Sequence, residues 1–554
     1  MSETKKQNNN FLLHGGILAL ASVLVRFIGM IYRIPMVNII GSEGNGYYSN
    51  AYSVYNILLL LSSYSLPLAV SKMVSARVAL GKWKETKRIL VVAFVFAAVI
   101  GLIFGAVTFF GADFFCTKIL NSPNSAIALK WMAPTVFIMA VLGVLRGFFQ
   151  GLQTMIPTAV SQIFEQIINA IFSVAMAAVL VGVGAGMVTA GGDPALRAAW
   201  GAAGGTIGTG AGALAALVFF IILYSKYRNT LNNKVAKDLS KKVRPYGELL
   251  KILSLTAVPV ILATATYNAV DILDAALFNH AMARQGLTNA QYTSIWGDYN
   301  SAYLLLVHLP VALASAIGSA LVPSLSSAYA EKDKQQVLEK VTLTVRVTLL
   351  ISIPCAFGMM AVGGNLAKLL FSGIAEDARH YLVVGGLAVV FYSLATVTNA
   401  ILQGLNHMER PVLHAFIALV GHVLLLLLLL YVFKAGVYAV IVSYMLFSLC
   451  IAILNLISIR KLTGYRINPI RSIMYPGLVS LVMVLVCLLI SFLFAKILSG
   501  RLLHLVVVLL SLLVGAAIYV VGICLLKCIT KKQVKELPYG KKIAAFLTKL
   551  RLLK

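Results

Sequence analysis

Acidic residues are scarce in this chain of 554 residues: 18 Asp and Glu stand against 46 Lys and Arg, and charged residues make up only 12%. So little charge cannot cover the surface of a soluble protein that is 60% hydrophobic, with a mean hydropathy of +0.91. Cysteine is also sparse, with six residues in all, and this excludes a disulfide scaffold. Cys524 and Cys528 lie four apart, which fits neither a redox pair nor a zinc set, so the cysteines read as small buried hydrophobes. No Gly-x-x-x-x-Gly-Lys-Ser/Thr run, His-Glu-x-x-His or Cys/His cluster is present. That excludes ATP use of the P-loop kind and leaves no metal or other cofactor to expect. No external segment is large enough to house an enzyme active site, so a membrane glycosyltransferase is disfavoured and the expectation is a non-enzyme.

What is abundant is the long apolar run. About fourteen are long enough to cross roughly 30 Å of hydrocarbon: 11–38, 47–71, 89–112, 128–149, 157–182, 200–224, 250–280, 298–328, 341–363, 380–403, 411–433, 436–458, 473–495 and 502–526. The fold class is therefore an all-α polytopic membrane protein. Basic residues concentrate at 72–88, 226–251 and 527–554 and are few in alternate connections such as 39–46 and 434–435. The positive-inside bias then places both termini in the cytoplasm, in a multi-pass protein of a cytoplasmic membrane. It also turns the net charge of +28 toward anionic lipids rather than nucleic acid. The polar 1–10 segment predicts no cleaved signal peptide.

The chain says the same thing twice. Gly46-x-Tyr48-x-x-Ala51-Tyr52 recurs as Gly297-x-Tyr299-x-x-Ala302-Tyr303, an offset of 251, and Gln150-Gly151-Leu152-x-x-Met155 recurs as Gln403-Gly404-Leu405-x-x-Met408, an offset of 253. The expected organisation follows: a cytoplasmic N-terminus 1–10, a six-helix lobe 11–224, a cytoplasmic linker 225–249, a second six-helix lobe 250–458, two extra helices in 459–526, and a basic tail 527–554. Six spans per lobe and a cytoplasmic linker make the repeats parallel, an arrangement used by transporters with a site where the repeats meet. The last two spans have almost no interior polar residues and read as lipid-facing. In the tail, Ile543, Phe546, Leu547, Leu550 and Leu553 follow helical spacing among lysines.

Charges inside spans are costly and so become functional candidates. Arg26 and Arg33 lie seven apart, on one helical face. Span seven offers Asp271 and Asp274, in a stripe with Thr264 and Tyr267. Guanidinium forks match phosphate, so the arginines can bind an anionic headgroup; a salt bridge to the aspartates is the alternative. Asp271, Asp274 and Glu165 are candidates for coupling or gating, with Na⁺, H⁺ or the membrane potential as the energy source. Tyr52 and Tyr303, in matching tyrosine stripes, are candidates for lining the substrate cavity or for anchoring at the interface. Lys72, Arg77 and Arg146 read as snorkelling anchors, with Lys72 and Arg77 also placed to guard a cytoplasmic entrance. Gly204-x-x-x-Gly208-x-x-x-Gly212 reads as a close-packing face.

Three segments carry a family resemblance: Arg26-Phe27-Ile28-Gly29-Met30-Ile31-Tyr32-Arg33-Ile34-Pro35, Leu66-Pro67-Leu68-Ala69-Val70-Ser71-Lys72, and the two Gln-Gly-Leu strings. Together they resemble the stage V sporulation protein B and lipid II flippase group of the multidrug/oligosaccharidyl-lipid/polysaccharide exporter superfamily. The resemblance implies a bundle opening alternately to each side, a cationic cavity for a pyrophosphate-sugar headgroup, and a groove beside the last two spans for a polyprenyl tail. Arg26 matches the basic position of that group's first span; Arg33 falls one residue from the second basic position, and Asp271/Asp274 match none. The implied activity is flipping of an undecaprenyl-pyrophosphate-linked cell-wall precursor, lipid II first, in the bacterial cytoplasmic membrane, with cell-wall synthesis proteins as candidate partners. Rivals are an exporter of another polyprenyl-linked oligosaccharide and a cation-coupled multidrug exporter.

The charge bias predicts that single cysteines placed in 72–88, 225–249 or the tail react only with membrane-permeant maleimides, whereas those in 183–199 or 281–297 also react with impermeant ones. External labelling of 225–249 would overturn the parallel arrangement.

Overall fold

The structure is a computed structural model that describes residues 2–240, 243–526, 528, 545 and 548, with side chains described for all of these except 2–20, 23, 257–260 and 262–267. Among the described residues there is no β-strand. With no water in hydrocarbon to receive backbone N–H and C=O groups, these apolar runs can only close their hydrogen bonds internally, as helices.

In chain order the helices are α1 (Ser2–Leu59), α2 (Leu66–Val78), α3 (Trp83–Phe114), α4 (Ser125–Gly151), α5 (Ile156–Thr189), α6 (Leu196–Ala236), α7 (Tyr246–Arg284), α8 (Asn289–Asp298), α9 (Leu306–Ala330), α10 (Lys334–Leu370), α11 (Tyr381–Gly385), α12 (Ala388–Gly404), α13 (Glu409–Leu427), α14 (Val437–Thr463), α15 (Tyr475–Ala495) and α16 (Gly500–Leu525). Eleven helices among the described residues are long and apolar enough to span a membrane, or twelve if the pair at 376–385 and 388–404, bent by 50°, is one span. One of the eleven, Leu24–Val78, is two spans merged across Gly41, whose φ of 73° only glycine adopts without strain. Counting the bent pair as one span, dividing Leu24–Val78 at Gly41 and including the 39-residue α7 gives the expected fourteen. The tail pattern from Ile543 to Leu553 and the Lys241-Lys242 pair lie outside the described residues.

Contacts divide the chain into two compact units, 1–297 and 298–554. In the first, α5 lies along α6, which also packs on α4, while α3 packs on α4 and α1 on α5. The α5–α6 approach depends on the glycine stripe. A methyl carbon at Gly208 would overlap Ser173 and stand 2.6 Å from the Asn169 carbonyl oxygen; one at Gly212 would stand 2.5 Å from the Glu165 carbonyl oxygen. On the side expected to be cytoplasmic, the segment before α7 is fastened to the start of α3. Asp238 accepts from the Lys84 amide (2.8 Å) and the Ser240 hydroxyl (2.5 Å), and Arg88 donates to the Arg244 carbonyl (2.9 Å). The Ser240 hydroxyl, then the Lys84 amide, hold the Asp238 carboxyl down at about 2. Its lowered value keeps this clamp charged above pH 4 and weakens it only as pH falls toward 2.

In the second unit, α12 packs against α9, α10 and α14, and α15 pairs with α16. Tyr519 donates to the Leu350 carbonyl (2.8 Å), tying α16 to α10. Only 22% of the apolar window of α15 or α16 is buried, so most of their surface faces outward, as lipid-facing spans require.

Gly208→Ala should lower stability by about 1–3 kcal/mol through overpacking, whereas Gly182→Ala, whose methyl would meet nothing within 4 Å, should leave it unchanged. Thermal melts of detergent-solubilised protein check the difference.

Candidate functional site

One group of polar and charged residues of the first unit lies on the two halves of α1. Past the Gly41 break, Tyr48, Tyr52 and Tyr55 recur three or four apart and share a face. Tyr48 and Tyr52 stack with centroids 5.8 Å apart, and Tyr55 lies 5.6 Å from Tyr52. The Arg33 guanidinium, from the first half of the same helix, lies 5.5 Å from the Tyr48 ring and 5.9 Å from the Tyr52 ring. A cation held on aromatic faces gains roughly 0.5–2 kcal/mol from the ring quadrupoles, and the Arg33 guanidinium also shares a side-chain hydrogen bond with Tyr48. Arg26 is exposed and forms no ion pair among the described residues.

From α7, Asn268 accepts from Asn56 Nδ2 (3.2 Å), which places this helix beside the tyrosine face. Asp271 is exposed and Asp274 is buried at 3% exposure; Tyr52 is within electrostatic range of both Asp271 and Glu165. No ion pair among the described residues joins Arg26 or Arg33 to Asp271. The side chains of Thr264 and Tyr267, expected in the same stripe, lie outside the described residues.

Glu165 has a definite partner: Arg146 Nη2 lies 2.6 Å from its Oε2, and the same guanidinium donates to Ser161 Oγ at 3.2 and 3.3 Å. Arg146 is 9% exposed, so it is a paired interior group and not the snorkelling anchor its position near a span end suggested. Arg77 bonds the buried Glu85 (3.1 Å), to which Arg244 also approaches (3.5 Å), while Lys72 is exposed.

In the second unit, Tyr303 is fully buried, stacks on Tyr299 (5.4 Å) and donates to the Gly385 carbonyl (3.2 Å). That geometry gives it a packing partner, not an open face. Sequence reasoning missed a buried network here. His414 Nδ1 lies 2.7 Å from Asn455 Oδ1, Asn455 Nδ2 donates to Thr398 (3.0 Å) and Asn399 (2.7 Å), and Ser458 lies 3.3 Å from His414 Nε2. Each residue was visible as a polar group in an apolar run; their mutual pairing was not.

This arrangement offers a cation on aromatic faces, an exposed carboxylate and amide donors. These suit recognition of an anionic, hydroxyl-bearing ligand. The family model "Polysaccharide biosynthesis protein" matches residues 12–329, more than half of the chain. The chain belongs to this family. A second model, MatE, matches residues 301–428. The lipid II flippase MurJ of Bacillus subtilis (strain 168) is 26% identical over 425 residues, covering 73% of this chain and 74% of that protein. Stage V sporulation protein B of the same organism is 25% identical over 390 residues, covering 70% and 72%. Among solved structures, "Lipid II flippase MurJ, inward closed conformation" aligns with a TM-score of 0.62 at 14% identity, over 91% of this chain and 97% of that one, a likeness of fold. These matches bear out the resemblance carried by the Arg26–Pro35 segment, and they make this polysaccharide biosynthesis family member a multi-pass membrane transporter, not an enzyme.

Arg146→Ala should cost about 3–5 kcal/mol, because it strands the Glu165 carboxylate in the interior. Replacing both residues by Met and Leu should recover most of that loss. Thermal unfolding of the single and double variants measures it.

Proposed function

We propose that the protein is a flippase carrying an undecaprenyl-pyrophosphate-linked cell-wall precursor, with lipid II as the first candidate, from the inner to the outer leaflet by alternating access. The observation that carries this reading is Arg33 on the Tyr48 and Tyr52 rings, with Arg26 exposed on the same helix. A guanidinium fork matches a pyrophosphate, and the half-buried Tyr52 offers an aromatic face to the sugar that follows it. The relatives named as a lipid II flippase and a sporulation protein support the same class of lipid-linked substrate. In this reading the repeats 11–224 and 250–458 are the moving halves, with both termini cytoplasmic and anionic lipids around the basic segments. Cell-wall synthesis proteins supply and consume the substrate.

The chain has no P-loop ATP-binding motif, so an ion gradient, the membrane potential, substrate flux or a separate protein would bias the cycle. The exposed Asp271 near Tyr52 is the coupling candidate, since a carboxylate that meets a cation in only one state shifts the balance between states. The same carboxylate favours the second reading, export of an organic cation, in which Asp271 and the tyrosines would hold the substrate itself.

Purified protein in liposomes should translocate lipid II but not ethidium. Arg33→Ala and Arg26→Ala should each cut the rate at least about tenfold by removing a charge-assisted contact, and Arg33→Lys should recover only part of it. Asp271→Asn should change the dependence on pH or sodium. Transport of other polyprenyl-pyrophosphate oligosaccharides but not of lipid II would replace the substrate; ethidium export abolished by Asp271→Asn would establish the second reading.

A further inference from the structure

The strip of α1 that carries both arginines has a gap in it, and one side chain of α5 reaches into that gap. Gly29 lies three residues from Arg26 and four from Arg33, so it neighbours both on the helix surface. A methyl carbon at Gly29 would stand 3.1 Å from Gln166 Nε2 and 3.9 Å from the carboxamide carbon, and would otherwise meet open space. Tyr32, three residues on in α1, accepts from Asn169 Nδ2 (3.5 Å), three residues on in α5. The two helices, both in the first unit, therefore run alongside in step. Gln162, one turn before Gln166, comes level with Val25 and Arg26.

Neither carboxamide is used up by the fold. Gln166 is half-buried and makes no hydrogen bond among the described residues. Gln162 Oε1 is enclosed and has no donor, an arrangement that folding alone does not reward. The other polar groups of α5 are employed inside the protein. Glu165 and Ser161 meet Arg146 (2.6 and 3.2 Å), Thr158 meets Gln150 (3.4 Å), and Ser173 donates to the Gly205 carbonyl (2.8 Å). Arginine only donates, so Arg26 and Arg33 can meet phosphate oxygens but cannot accept from a hydroxyl or an amide N–H. A carboxamide does both. Gln166 and Gln162 thus supply, beside the cations, the acceptor oxygens that arginines lack.

We propose that Gln166, with Gln162 one turn away, reads the sugar attached to the pyrophosphate and makes the protein select a sugar-bearing polyprenyl pyrophosphate over the bare carrier lipid. Arg26 and Arg33 hold the phosphates, which both lipids share. The carboxamides pair with hydroxyl or amide groups that only the sugar-bearing lipid carries. Bare lipid leaves the enclosed Gln162 oxygen unpaired. A site built around such a hydrogen bond rejects an analogue that lacks the partner far more strongly than an apolar pocket does. Gly29 lets the amide sit between the charges, since a larger side chain would take the space where Gln166 and ligand meet. The inference rests on the lipid-linked substrate reading and needs no particular glycan.

The test measures binding of two radiolabelled lipids to full-length protein in detergent: undecaprenyl pyrophosphate with and without a single N-acetylhexosamine. The parent should bind the sugar-bearing lipid at least about tenfold more tightly. Gln166→Leu should weaken binding of that lipid about tenfold, the loss of one paired polar group, and of the bare lipid less than about twofold. Gln162→Leu should shift the ratio in the same direction. Arg33→Ala should weaken both lipids alike, and a loss confined to the sugar-bearing lipid would overturn this division of roles. A packing role for Gln166 moves the two affinities together. An equal loss for both lipids at an unchanged melting temperature, or no loss for either, therefore overturns the inference. If Gln166→Leu melts lower than the parent, Gln162→Leu decides by the same ratio. A parent that binds both lipids equally overturns the sugar reading and leaves pyrophosphate binding in place. A parent that binds neither removes the lipid-linked substrate reading, and this inference falls with it. Failure to flip lipid II in liposomes leaves the binding result standing.

Discussion

An unpaired polar group in hydrocarbon finds no water, and every level of this structure answers to that constraint. It makes the backbone helical, and it lets irregular backbone occur only where protein covers it. The bend between α11 and α12, at the buried Gly385 and Gly386, is such a place, whereas the left-handed Gly41 falls in the connection 39–46 between spans. It also obliges interior side chains to find partners in one another. Arg146 finds Glu165 and Ser161, His414 finds Asn455, and Asn56 finds Asn268.

Within the first unit those pairings are of two kinds. Arg146–Glu165 is a completed pair: the guanidinium is saturated, and its worth lies in what its loss would strand. Arg33 is different, since its charge rests on two tyrosine rings and a side-chain hydrogen bond to Tyr48. Arg26 and Asp271 are exposed and form no ion pair among the described residues. Binding capacity in such a protein resides where charge is stabilised without being hydrogen-bonded to saturation.

Small residues make the other polar contacts reachable. Without Gly208 the backbones of α5 and α6 could not approach, and the Ser173 hydroxyl would not meet the Gly205 carbonyl (2.8 Å). The same device recurs at Gly46 and Gly297, where added methyl carbons would overlap the Thr293 and Ser42 carbonyl oxygens.

The class was legible in the sequence because the bilayer requires about twenty apolar residues per span and sorts basic residues by side, and both leave marks on every stretch of chain. The repeats were legible because Gly46-x-Tyr48 and Gly297-x-Tyr299 pair polar and aromatic residues that chance rarely duplicates, and the family resemblance followed from equally local strings. Which charge meets which partner was not. Arg26 and Arg33 are alike on a helical wheel, yet one is exposed and the other rests on two tyrosines. Arg146 resembled an anchor until α5 brought Glu165 within 2.6 Å. Tyr52 and Tyr303 are repeat equivalents, but only Tyr303 is fully enclosed, against Gly385. The sequence by itself determined how many helices cross the membrane and what each face carries, since these depend on residue type and spacing. Only the tertiary structure decided the partners, because pairing depends on the rotation and approach of helices distant in sequence, and packing at positions such as Gly208 and Gly297 sets both.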